Sequence, residues 1–187
     1  MTKVETLATY MGTKITGGSM VFIRSSGAIS NGTASVVFDD DDFDATKFDH
    51  YVFMFQYVKP VTDSAEILGQ TSTNGGTNFA TTNGDYHHAN GGNDLTGFFV
   101  AQSVGNASAE YGVSGKFELL APHSTAFTYG RSTCISMDAN GGIINHGAVA
   151  DFAGNRNEAA DVDAIRFLYA SGNITSGEIV MYGIANA

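Results

Sequence analysis

Residues 165–187 read IRFLYASGNITSGEIVMYGIANA. Ile165, Phe167 and Tyr169 alternate with Arg166, Leu168 and Ala170, and Ile179 and Met181 alternate with Val180, Tyr182 and Ile184. A period of two puts successive side chains on opposite faces of a strand, so both runs read as β-strands. The Ser-Gly-Asn-Ile-Thr-Ser-Gly segment between them supplies turn chemistry, and the pair is expected to form a hairpin. Apolar groups on both faces predict strands enclosed in the fold or facing a neighbouring copy on one side.

The same alternation runs back along the chain. Tyr51–Val58, YVFMFQYV, is its strongest instance. Tyr51, Phe53, Phe55 and Tyr57 are expected on one face and Val52, Met54 and Val58 on the other, in a central strand ended by Pro60. Further strands are expected at Met20–Ile23, Ser35–Phe38, Glu66–Thr71, Gly97–Val104 and Lys116–Leu120. Others follow at Ala126–Met137 with a break at Gly130, and at Ile143–Phe152. Asn-Gly turns at 74–76, 83–85, 90–94 and 140–142 supply the positive φ values that reversals need. No helical period follows Gly12. Eight to ten strands without helices between them predict an all-β, antiparallel β-sandwich of jelly-roll type, occupying residues 13–187 as one domain. Residues 1–12 are set apart: Val4, Leu7 and Met11 have helical spacing and predict a short arm or helix suited to assembly.

Composition narrows the function. The chain has 187 residues, with 9 Lys plus Arg against 19 Asp plus Glu, giving a net charge of −10. That field repels phosphate backbones, which argues against nucleic-acid binding. The single Cys134 cannot form an internal disulfide, and its apolar neighbours predict a buried, inert thiol. The N-terminus carries no signal-peptide pattern, and no apolar run approaches the ~18 residues of a membrane span. A soluble protein made in a cytoplasm is expected.

Motifs of catalysis are scarce. The chain contains no G-x-S-x-G elbow and no phosphate-cradling glycine motif. His50, His87, His88, His123 and His146 carry no local motif and read as loop or edge residues. His87 and His88, near Asp85 and Asp94, would chelate a metal together only in a loop, since neighbours on a strand point apart. In the acidic run Asp39–Asp44, Asp39, Asp41 and Asp44 are the candidate Ca²⁺ ligands. The run lacks the spacing and closing Glu of a calcium loop, so a solvated corner without a cofactor is the expected reading. Carbohydrate recognition has more support: the polar stretch Asn74–Asp94 presents Phe79, Tyr86, His87, His88 and Asp94 as a candidate glycan or receptor surface.

The segment FDHYVFMFQYVKPVTDSAEILGQTSTNGG, the spaced Tyr86, GKFEL with Pro122, and AIRFLYASGNITSGEIVMYGI occur in an order that resembles structural and tail-fibre-type proteins of marine tailed bacteriophages. The resemblance covers roughly residues 48–184. It implies a non-enzymatic virion structural protein, a capsid decoration or short tail-fibre or tip component. Such a protein is expected at the virion surface, self-associating as a homotrimer and docked on other virion proteins. It implies no catalytic residues. The alternative is a host-receptor or glycan-binding module recognising surface polysaccharide; a polysaccharide-degrading enzyme is the third and weakest reading.

Overall fold

Twelve β-strands and no α-helix make up the regular structure of residues 18–89, 95–146 and 152–186, which the computed structural model describes. The expected arm, Val4, Leu7 and Met11, and the candidate site residue Asp94 lie outside the described residues. The strands are β1 Met20–Ser25, β2 Val36–Phe38, β3 Phe48–Pro60, β4 Ala65–Ser72, β5 Tyr86–His88 and β6 Phe98–Val104. They continue with β7 Val113–Leu120, β8 Phe127–Met137, β9 Ile143–His146, β10 Ala153–Ala159, β11 Ala164–Tyr169 and β12 Ile174–Ala185.

Two antiparallel sheets form a β-sandwich, the expected class. The larger has eight strands in the order β1-β12-β3-β7-β8-β10-β5, with β9 also paired to β8; the smaller has the order β2-β11-β4-β6. β10 pairs with the first half of β8, around Gly130, and β9 with its second half, from Cys134 to Met137. Between the sheets lies an aromatic core. Phe167 of β11 is fully buried, with ring centroids 5.0 Å from both Phe53 and Phe55, 5.7 Å from Phe117 and 6.4 Å from Phe38. β8 runs unbroken through Gly130 because the glycine makes room for the core: a Cβ there would lie 2.7 Å from Phe98 and 2.8 Å from Phe117.

Three expectations are corrected. First, the closing pair is no hairpin. β11 pairs with β2 and β4 in the smaller sheet, whereas β12 pairs with β1 and β3 in the larger. Both edges of β11 are already hydrogen-bonded, so the SGN turn, with Gly172 at φ 75°, carries the chain across the core. Ile165 and Phe167 then face Ile179 and Met181 as parts of one buried cluster. Second, Tyr57 does not share a face with Tyr51, Phe53 and Phe55. The β3 register slips between Phe55 and Val58, Tyr57 takes a left-handed φ of 54°, and Val58 occupies the core instead. Third, Phe152 lies outside any strand; of the strand expected at Ile143–Phe152 the described part is β9, and residues 147–151 lie outside the described residues. A polar strand, β10, follows at 153–159, and β5 is also an addition.

Candidate functional site

The ionisable side chains are arranged to hold the sandwich. His123 Nδ1 lies 3.0 Å from Asp161 Oδ1, and its Nε2 lies 3.0 Å from the Tyr51 hydroxyl, which accepts the Asp44 N–H at 2.8 Å. The order carboxylate, imidazole, hydroxyl imitates a catalytic relay. Tyr51, however, is fully buried, and burial drives its phenol far above the usual range, so no substrate meets it as a nucleophile. The group clasps three loops. His146, expected on a loop or edge, is fully enclosed: its Nε2 pairs with Ser136 Oγ at 2.7 Å and its ring lies 5.0 Å from Phe152. Burial pushes its pKa down to about 4, leaving it neutral near pH 7. Buried Glu118 accepts from Arg131 Nε at 3.0 Å and pairs with Lys116 at 3.2 Å. Burial raises the Cys134 thiol to about 11, which keeps it protonated and unreactive.

The expected glycan surface is dispersed. Tyr86 is a core residue, not a surface platform: it is 0% exposed, and its ring lies 4.8 Å from Phe98. Its hydroxyl accepts the Thr71 N–H at 2.8 Å, joining β5 of one sheet to β4 of the other. Phe79 lies beneath the Arg166 guanidinium, 4.4 Å from ring centroid to carbon. His87 and His88 are consecutive in β5 and point to opposite faces. The His88 ring packs on Phe99 at 4.4 Å. The loop before β5 is tied to its surroundings, with Gly75 N–H donating to Asp163, just before β11, and Gly76 N–H to Ser72 at the end of β4.

The acidic corner is likewise divided. Asp42, 8% exposed, takes the Arg24 guanidinium at 2.5 Å, and Asp39 lies 3.8 Å from the same group. Burial raises the Asp42 pKa in opposition to Arg24. Asp44 accepts from the Thr46 hydroxyl at 2.6 Å and pairs with Lys47 at 2.9 Å, which together hold its pKa down. Asp41 is exposed. The candidate ligands Asp39, Asp41 and Asp44 are therefore not drawn to one point. Among the described residues, no three His, Cys, Asp or Glu side chains converge.

What remains accessible is the outer face of the larger sheet. Along β8 the residues alternate, Thr128, Gly130 and Ser132 inward and Phe127, Tyr129 and Arg131 outward. One groove of about 390 Å³ runs beside Tyr129 over Leu120, Arg131, Ala153, Asn155 and His88. Tyr129 is 53% exposed, so a flat apolar ring with polar neighbours is available there. A second, smaller groove of about 250 Å³ lies among Tyr57, Tyr111, Ile135, Met137 and Ile143. These side chains are hard to find by periodicity, because outward positions of a sheet accept either polar or apolar residues. No protein-family model matches the sequence, and no curated protein is significantly similar to it.

Proposed function

We propose that the chain is a non-enzymatic, jelly-roll structural protein of a tailed-phage virion, a capsid decoration or short tail-fibre or tip component, working by self-association and docking. The strand order supports the jelly-roll reading. Taken in chain order without β5, β8, β9 and β10, the first, eighth, third and sixth strands face the second, seventh, fourth and fifth. That alternation between two sheets is the signature of paired Greek keys. The remaining strands extend the larger sheet past β7. The virion assignment rests on the ordered resemblance of residues 48–184 to phage structural proteins.

The observation that carries the non-catalytic, assembling reading is the contrast between interior and surface. Histidines and tyrosines that imitate acid–base machinery are buried in structural bonds, while large apolar side chains stand exposed on and beside the larger sheet: Tyr111, in the loop before β7, at 70%, Ile143 at 73% and Tyr57 at 61%. Clustered apolar exposure of this kind marks contact surfaces. The test is light scattering across a concentration series, with pull-down against capsid and tail proteins and electron microscopy of particles. Concentration-dependent assembly, a homotrimer as first expectation, and specific retention on the particle support the assignment. A monodisperse monomer without affinity for either set of proteins overturns it.

A second reading, glycan or receptor recognition, is favoured by one observation: the Tyr129 groove. At about 390 Å³ it falls within the size range of small-ligand sites, with an aromatic wall beside Arg131 and Asn155. Tyr129→Ala should abolish retention on host surface polysaccharide while leaving the melting temperature unchanged. Undiminished retention would remove this groove from consideration.

A further inference from the structure

The geometry points to Asn83 as a site of spontaneous covalent modification, at which the asparagine converts to isoaspartate. The inference is independent of the virion reading. Such a conversion begins when the backbone nitrogen of the following residue attacks the asparagine side-chain carbonyl carbon. A glycine in that position obstructs the attack least, because it has no Cβ. Among the described residues the Asn-Gly pairs are Asn31-Gly32, Asn74-Gly75, Asn83-Gly84 and Asn140-Gly141. All of these asparagines are exposed, so access to water does not separate them. The state of the attacking nitrogen does.

In three pairs that nitrogen is held. Gly32 N–H donates to the Ile174 carbonyl at 3.0 Å, Gly75 N–H to Asp163 Oδ1 at 2.9 Å, and Gly141 N–H to the Asp138 carbonyl at 2.9 Å. The Asn74 side chain is held as well, its Oδ1 accepting from the Ser72 hydroxyl and the Asn78 N–H. Attack at these positions must wait for a local opening that breaks the bonds. Asn83-Gly84 differs. Asp85 N–H donates to the Thr82 carbonyl at 3.0 Å, and Gly84 has a φ of 93°, so the pair forms the centre of a type II turn. Among the described residues, neither the Asn83 carbonyl nor the Gly84 N–H has a hydrogen-bond partner. The peptide between them can rotate towards the side chain without losing a bond, while the ends of the turn stay fixed.

The step balances without an oxidant or cofactor. A bond forms between Gly84 N and Asn83 Cγ, the Cγ–Nδ2 bond breaks, and the Gly84 proton leaves with Nδ2 as ammonia. Water then opens the resulting ring. Opening at the main-chain carbonyl routes the backbone through Cβ and Cγ and leaves a free α-carboxylate. The product lengthens the turn and adds a negative charge near Asp85, whose carboxylate accepts the Thr82 N–H at 2.7 Å. Tyr86 follows directly and opens β5, an end strand of the larger sheet, so the change loosens the start of that strand.

Incubating the full-length protein in mildly alkaline buffer, with peptide mass spectrometry and enzymatic detection of isoaspartate, tests the inference. In native protein Asn83 should convert roughly tenfold faster than Asn31, Asn74 or Asn140. In guanidinium the four should convert at similar rates, since every glycine nitrogen is then free. Asn83→Gln should remove the fast event and leave the other three rates unchanged. A native lead taken by Asn31, Asn74 or Asn140 overturns the inference. So does an Asn83 that stays intact in the native state, or a lead of the same size in native and denatured protein, which would assign the rate to sequence alone.

Discussion

Replacing Phe167 by alanine removes the ring on which the two sheets meet. Phe167 is fully buried and contacts four other phenylalanines, two from β3 and one each from β2 and β7. Its edge also covers Gly69, where a Cβ would lie 3.2 Å from the ring. Removing a buried aromatic side chain forfeits roughly 2–3 kcal/mol of transfer free energy. A cavity of ~80 Å³, at about 24 cal/mol per Å³, adds ~2 kcal/mol. The neighbours are rigid rings on both sheets and collapse poorly into the space, so the expected cost is about 4–5 kcal/mol, at the upper end for such substitutions. For a chain of this length that lowers the melting temperature by roughly 8–20 °C. Urea denaturation followed by circular dichroism should show a lower midpoint with an unchanged slope, since the folded topology is retained. Tyr129→Ala, on the outer face, should change stability by less than about 0.5 kcal/mol and serves as the control. A Phe167→Ala midpoint close to that of the control would refute the assignment of this ring to the core.

Three further substitutions test close contacts inside the sandwich and at the β3 bulge. Tyr86→Phe keeps the ring but leaves the Thr71 N–H without its acceptor, and should cost about 1–3 kcal/mol in chemical denaturation; no loss would mean that Thr71 is satisfied otherwise. His146 titrates near 6.5 when unfolded and about 4 when folded, so below pH 6.5 the unfolded state binds the extra proton. Stability from this residue is fully present above pH 6.5 and falls, by up to about 1.4 kcal/mol per pH unit, down to pH 4. His146→Gln should flatten that part of the melting-temperature profile, and a profile identical to the parent's would reject the assignment. Gly177→Ala places a Cβ against Val58 at φ 119°, and should destabilise by about 2 kcal/mol or more through strain and overpacking. A thermal midpoint equal to the parent's would show that the bulge can move.

Much of the fold was legible because core-facing positions obey a period of two. Ile165, Phe167 and Tyr169 are all buried, as are Phe53 and Phe55. β10 escaped notice because its inward positions include Gly154 and Arg156, which carry no apolar signal; Arg156 is nonetheless buried, its guanidinium paired with Glu158. The crossing between β11 and β12 was illegible for a different reason. A short glycine-containing turn serves a hairpin and an inter-sheet corner equally, and only the neighbours already occupying both edges of β11 decide between them.

Two tyrosines carry the lesson over to function. Alternation placed Tyr57 inside, with Tyr51, Phe53 and Phe55, and a polar neighbourhood placed Tyr86 outside. The structure exchanges them. One slipped residue in β3 suffices to put Tyr57 in solvent, because each one-residue shift reverses a strand's faces. Pairing of β5 with β10 suffices to turn Tyr86 into the core, where its hydroxyl completes the hydrogen bonding of β4. Both events are tertiary, set by strands far away in sequence, and neither leaves a local signature. The outward face is the part of a sandwich where this matters most. Its residues obey no packing period, so it becomes visible only once the core has claimed its own aromatic rings and left others, Tyr57, Tyr111 and Tyr129 among them, exposed.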